Sequence, residues 1–183
     1  MTLLIQTERL VLRRFTNDDV PDILAFMSHP SVARIVREIE ATEAGVRKYI
    51  ELQNANELFE QDVWFGLAVV RKADGRVMGL VSLVCKDHQQ GQCGWALGID
   101  YRAQGYATEA ARGLLAFGFD TLGLHRISAD TTSTNPASWR LMERLGMRRE
   151  ANLIEAEFRD GEWIDYDIYA ILADEWEKLN QCG

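Results

Sequence analysis

Apolar residues recur along the chain in two rhythms, one of period two and one near 3.6. In TERLVLRRF (7–15), Leu10 and Leu12 alternate with Arg9, Val11 and Arg13, the mark of a strand with one buried face. VWFGLAVVRK (63–72) and RVMGLVSLVC (76–85) are apolar runs separated by Asp74-Gly75, which predicts a hairpin. KDHQQGQ (86–92) reads as a loop, CGWALGID (93–100) as the next strand and HRISADTTS (125–133) as another. Strands over about 150–159 and 162–172, joined at Asp160-Gly161, close the chain.

The longer rhythm marks helices. Thr16 and Asp19 have capping-box spacing for a helix to about Met27, although Pro21 falls late in its first turn. A second covers 42–58, with Val46, Tyr49 and Ile50 apolar. A third runs from about Ala107 through Ala111, Leu114, Gly118 and Leu122, and Gly123 provides its stop. Asn135-Pro136 opens a fourth, as N-cap and first helical residue, which ends at Leu145 before Gly146. No internal repeat or linker-like stretch interrupts this order. It predicts one α+β or α/β domain over 1–183, with a core over about 7–172: antiparallel hairpins around a central strand–helix–strand.

Composition narrows the setting. The 183 residues are 47% apolar, enough for one substantial core. No apolar run reaches membrane-spanning length, and MTLLIQTERL lacks the basic start and apolar core of a secretory signal. Cys85, Cys93 and Cys182, an odd number without metal-ligand spacing, favour a reducing, cytoplasmic setting. His29, His88 and His125 have no such spacing either, so no metal is expected. The net charge of −8 argues against a nucleic-acid binder. Charge is also uneven. Residues 102–149 hold seven Arg against four acids, and 150–178 hold ten acids against Arg159 and Lys178. The first region is suited to an anion and the second to a cation.

The chemistry begins at the third helix. The N–H groups of a helix's first turn lack intrahelical partners and attract anions, phosphates especially. In Arg102-Ala103-Gln104-Gly105-Tyr106-Ala107, Gly105 lets the backbone approach a diphosphate, Ala107 keeps the helix mouth open and Arg102 adds charge. No G-x-G-x-x-G or G-K-[ST] fingerprint is present, which disfavours a dinucleotide or ATP site. GQCGWALG (91–98) has the wrong spacing.

These residues resemble the acyl-CoA motif of the GNAT superfamily of N-acetyltransferases, R/Q-x-x-G-x-G/A at a helix start. Asn135-Pro136-Ala137-Ser138 through Leu145-Gly146-Met147 resembles the family's second motif. TERLVLRRFTNDD and FRDGEWIDYDIYAIL look like the branch of ribosomal-protein-alanine acetyltransferases, so the resemblance spans roughly 7–172. It implies a mixed, mostly antiparallel central sheet flanked by helices and splayed between the strands at 93–100 and 125–133. Acetyl-CoA would lie in the gap as co-substrate. The resemblance gives backbone groups of Leu97, Gly98 and Ile99 to the pantetheine arm. It gives the amides of Arg102, Ala103, Gln104, Gly105, Tyr106, Ala107 and Thr108 to the diphosphate, and Asn135 to the pantetheine side. Leu97 and Ile99 also suit ordinary strand core, and Asn135 a plain helix cap.

The implied reaction is acetyl transfer to a primary amine. By resemblance Glu157 takes the amine's proton, directly or through water, and Ser138 protonates the departing sulfur. Burial among Phe158, Trp163 and Tyr166 would raise Glu157's pKa toward that of a useful base. Where many relatives place a tyrosine acid, four residues after Ser138, this chain has Met142. The acidic 150–178 segment would attract a cationic acceptor. The branch favours a protein or peptide α-amine, such as a ribosomal-protein N-terminus; a polyamine or aminoglycoside is the alternative. A non-catalytic acyl-CoA binder is a further reading, and exposed strand edges suit a homodimer.

Overall fold

The computed structural model describes residues 4–56 and 60–181. Its strands are β1 (Leu4–Gln6), β2 (Leu10–Arg13), β3 (Trp64–Arg71), β4 (Val77–Lys86), β5 (Gln90–Leu97), β6 (Arg126–Thr132), β7 (Arg148–Arg159) and β8 (Glu162–Leu172). They form one mixed sheet in the order β1-β2-β3-β4-β5-β6-β8-β7, in which only β5 and β6 run parallel. Three helices, α1 (Val20–Met27), α2 (Pro30–Ala33) and α3 (Glu43–Ala55), belong to one face. On the other lie α4 (Tyr106–Ala116), α5 (Pro136–Arg144) and α6 (Ala173–Gln181).

The period-two runs become strands as expected, with Leu10 and Leu12 fully buried on one face of β2. The predicted loop at 86–92 is shorter: β4 runs to Lys86 and β5 begins at Gln90, three residues before the predicted strand. His88 and Gln89, at φ 57° and 56°, make the tight turn. The Asn/Gly/Pro rules missed it because neither residue is a usual left-handed one. At the other end, residues 98–100 leave the strand.

The capping box at Thr16 forms, its N–H donating to Asp19 Oδ2 at 2.8 Å. It opens only a short 3-10 turn, Asn17–Asp19, and α1 starts at Val20 so that Pro21 sits in its first turn. The helix predicted over 42–58 is α3, capped by Thr42; the expected end at 57–58 lies outside the described residues, as does Cys182. The C-terminal helix α6 has no counterpart in the sequence reading, which closed the core at 172. Trp176 on it is 2% exposed and stacks on Phe119 with ring centroids 5.7 Å apart.

Two apolar clusters hold the layers. The larger lies under α4–α6 and takes residues from β2 to β8, including Leu67, Leu114, Ile127, Tyr169 and Ile171. The smaller lies under α1–α3 and joins Phe26, Val32, Val36 and Ile39 to Ala68, Leu80 and Ala96 of β3–β5, with no member from β6–β8. No helix of the described residues is long and apolar enough to cross a membrane.

Candidate active site

Beta-strands 5 and 6 pair at only three positions: Gln90↔Arg126, Gly91↔Ile127 and Gln92↔Ser128. Beyond them β5 continues to Leu97 along β4, while β6 continues to Thr132 along β8. The sheet therefore opens into a V with its vertex at Gln92 and Ser128. Main-chain groups on the two facing edges lack a strand partner, which a sheet interior tolerates only beside a ligand or water. Gln92 and Asp130, joined by a side-chain hydrogen bond, bridge the vertex.

The sequence-predicted residues gather along the β5 arm and just past its end. Gly98 N–H bonds to Met78 O at 2.9 Å and Gly98 O accepts from Tyr101 N–H at 3.1 Å. Backbone alternation then turns the N–H group of Leu97 away from β4, toward the gap, while Ile99 opens a 3-10 turn just past the strand. Leu97 O and Ile99 O accept from Arg102, through Nε at 3.2 Å and N–H at 3.2 Å. Arg102 thus braces the turn as well as supplying charge.

Residues 102–105 are exposed and lead into α4. Ala103 (φ 58°) and Gly105 (φ 82°) are both left-handed, a conformation that brings successive amides to one side. Tyr106, Ala107 and Thr108 occupy the first turn, where N–H groups have no helical acceptor. A Cβ on Gly105 would come within 3.2 Å of Arg9 Nη2. This outward row of amides fits the diphosphate of acetyl-CoA, and the unpaired β5 edge fits an extended amide-bearing arm.

Long-range contacts hold that mouth in shape, and the sequence reading missed them. Glu109 accepts from Thr7 Oγ1, Arg9 N–H and Arg9 Nε at 2.6–2.7 Å, tying α4 to the start of β2. Burial would raise the Glu109 pKa, but these hydrogen bonds outweigh it and the net shift is downward. Arg9 also covers the Tyr106 ring at 4.4 Å and donates to Gln104 O at 3.0 Å. A separation of 100 residues leaves no local signal for such a pairing.

Asn135 and Ser138 lie past the end of β6. Asn135 caps α5, its side chain accepting from Ser138 N–H at 3.4 Å. The Ser138 hydroxyl has no hydrogen-bond partner among the described residues. Met142 is buried in the larger cluster.

Glu157 lies on β7 opposite Ile164, on the sheet face that carries Asp130, Tyr166 and the α1–α3 layer. Its carboxylate accepts from Arg159 Nε (2.9 Å) and Nη2 (2.6 Å), from the Tyr166 hydroxyl (2.5 Å) and from Arg37 Nη1 (3.4 Å). Arg159 first, then Tyr166, lowers its pKa to about 2. The expected upward shift is thus reversed. Phe158 and Trp163, each 60% exposed, stack edge to face at the surface and leave the Glu157 carboxylate outside any apolar pocket. Much of the acidity of 150–178 is also neutralised locally. Glu150 meets Arg126 and Arg148, Glu175 meets Arg148, and Asp167 meets Arg149. Three acids of the acid-rich region thus pair with three arginines of the Arg-rich one, because β7 and β8 lie beside β6. Among the described residues, no group of three or more His, Cys, Asp or Glu is placed to hold a metal.

The family model for the acetyltransferase (GNAT) domain matches residues 9–148. The uncharacterized N-acetyltransferase YnaD of Bacillus subtilis is 30% identical over 94% of this chain and 98% of its own. A GNAT-family acetyltransferase structure from Bacillus anthracis superposes with a TM-score of 0.82 at 28% identity, covering 94% of this chain and 99% of that one. Two further structures share the fold at lower identity. A ribosomal-protein alanine acetyltransferase from Vibrio fischeri has TM-score 0.74 and 21% identity, with coverage of 95% and 98%. A spermidine N-acetyltransferase chimera from Vibrio cholerae has TM-score 0.77 and 19% identity, with coverage of 93% and 99%.

Proposed function

The chain belongs to the acetyltransferase (GNAT) family and is an acyltransferase, and from that premise we propose that it acetylates the α-amine of a protein or peptide N-terminus, with acetyl-CoA as co-substrate. The observation that carries the reading is the V between β5 and β6, with a helix mouth of outward amides beyond the end of one arm. Amides from Arg102 to Thr108 hold the diphosphate, and main-chain groups of Leu97 and Ile99 align the pantetheine arm. Gly98 keeps that edge against β4. Asn135 shapes the far wall by capping α5. When bound, acetyl-CoA supplies an activated acetyl thioester.

The acceptor amine must arrive neutral. At pH 7 this costs about 4–5 kcal/mol for an amine of pKa about 10.4, and about 1–1.5 kcal/mol for an α-amine of pKa about 8. A carboxylate held at about 2 is a feeble base but a permanent anion. Glu157 therefore binds and orients the ammonium and passes its proton on through water, a role matched to an α-amine better than to a lysine-like one. Asp130, at the vertex on the same face, is a second carboxylate within the cleft. The free hydroxyl of Ser138 supplies a proton to the departing thiolate. The acceptor side is open: the Glu157 side chain keeps 32% of its surface exposed and Arg37 beside it 52%, which suits a chain end. The fold is shared both by a protein named as a ribosomal-protein alanine acetyltransferase and by a spermidine acetyltransferase, so the acceptor reading rests on the site's chemistry.

The test is release of free thiol from acetyl-CoA in the presence of unblocked peptides, spermidine and an aminoglycoside. Peptides should give the highest kcat/KM, with Glu157→Gln reducing it about 10²-fold or more. No thiol above background with any amine would defeat the enzyme reading; a clear preference for spermidine would replace the acceptor.

A further inference from the structure

The two arms of the V are held together differently on the two faces of the sheet. Under α4–α6 the apolar cluster crosses from β5 to β6 and β8. Under α1–α3 the cluster stops at Ala96, and its members Val32, Val36 and Ile39 tie the segment 32–39 to the β3–β5 half. That segment reaches across the gap with two arginines. Arg34 Nε lies 3.8 Å from Asp160 Oδ2, and Arg37 Nη1 lies 3.4 Å from Glu157 Oε1. Asp160 and Glu157 belong to the β7–β8 hairpin, on the opposite half. Both arginines are more than half exposed, and both contacts are long. Arg159 and Tyr166, by contrast, hold the Glu157 carboxylate at 2.5–2.9 Å from their own half.

From this difference, and building on the proposed acceptor site at Glu157, we infer that Arg37 is a specificity-determining residue: a weakly held resident cation on Glu157 that an incoming ammonium displaces. Arg159 and Tyr166 keep the carboxylate in place and ionised while Arg37 occupies its outward side. A primary ammonium offers the same charge with three donors in a smaller volume, and takes that position as the Arg37 side chain turns out to solvent and the backbone around it loosens, while Val36 and Ile39 stay packed on the β3–β5 half. An acceptor without a cationic group has nothing to offer Glu157 in exchange, so the arginine bars it. Arg34 on Asp160 is the second tie across the same opening.

Two measurements test this. In steady-state acetylation of an unblocked alanyl peptide, Arg37→Gln should lower KM about two- to fivefold, the range expected for an exposed ion pair, with the effect on KM rather than kcat. Arg47→Gln removes the same charge at the distant Glu43 pair and should not reproduce it. A KM that is unchanged or raised in Arg37→Gln, or equally lowered in Arg47→Gln, overturns the inference. The second readout needs no turnover. Hydrogen exchange over 34–42 should quicken about two- to fivefold when the unblocked peptide is added, and in Glu157→Gln without peptide, but not with the N-acetylated peptide. If the free-amine peptide leaves exchange over 34–42 unchanged, Arg37 is not displaced and the inference fails. Quickened exchange without thiol release would instead defeat the proposed catalysis and leave the exchange of cations standing.

Discussion

Glu157 takes its proton affinity from Arg159 and Tyr166, and two outcomes follow at this scale. With the carboxylate at about 2, it is ionised across pH 5–9, so the acid limb of kcat/KM should track the acceptor's amine. Arg159→Met removes the largest cause of the lowering, so the Glu157 pKa should rise toward the ordinary carboxylate range. A second limb below about pH 5 should then appear in the profile, and its absence would show that Arg159 does not set the charge of Glu157. Asp167 offers the stability counterpart. It is 5% exposed and bonds to Arg149 and Asn152. Burial pulls its pKa up, hydrogen bonds from Arg149, Asn152 and Ser133 pull harder, and the net is lowered. A lowered folded-state pKa stabilises above the unfolded value and is lost as pH falls through the folded one. Asp167→Asn should therefore cost about 1–3 kcal/mol in urea melts at pH 7. The gap from the parent should narrow in melts as pH falls through and below the ordinary carboxylate range; a gap that stays constant would deny the linkage.

At the scale of elements, the helix mouth and the open strand edge are separable. Gly105→Ala places a Cβ on a left-handed residue, which costs about 1–2 kcal/mol, and crowds Arg9 as well. It should weaken acetyl-CoA binding about tenfold or more in calorimetric titration. Gly75→Ala, at φ 72° in the β3–β4 turn with open space around it, should lose comparable stability without losing affinity. Along β5, the amides of Trp95 and Leu97 face the gap by strand alternation, whereas Gly98 N–H is bonded to β4. Their hydrogen exchange should be fast in the free protein and slow on adding acetyl-CoA. Helix α5 and its left-handed Gly146 stop were legible from local spacing, whereas the helix expected to run from about Ala107 through Leu122 is regular only to Ala116 and widens into a π-helical turn over Phe117–Thr121 before the left-handed Gly123. The His88–Gln89 turn was not, since its strain is imposed by the register of β4 on β5.

For the whole molecule, α6 closes the core that β8 leaves open. Trp176→Ala removes a buried aromatic and should cost about 3–5 kcal/mol. In a chain of this length that lowers the thermal midpoint by roughly 6–20 °C. A near-parental midpoint would make α6 an ornament of the fold. The helix escaped sequence reading because ADEWEKLNQ offers one large aromatic among polar residues, too sparse a stripe to predict burial.

What the sequence determined by itself was whatever depends on neighbours within a turn or a hairpin. Strand alternation at Leu10 and Leu12, the glycine stops, the Asn135 cap and the small-residue mouth at Gly105 are short-range facts of sterics and hydrogen bonding. From them, with the resemblance they carry, came the sheet, its splay between strands expected at 93–100 and 125–133, and the expected position of the diphosphate. Tertiary structure alone decided the electrostatics. Arg9 reaches Glu109, Arg149 reaches Asp167, and Arg37 reaches Glu157 across distances in sequence that leave no local trace. Charge acts through space, so the proton affinity of Glu157 and the partial neutralisation of the acidic segment emerge only once the strands are side by side.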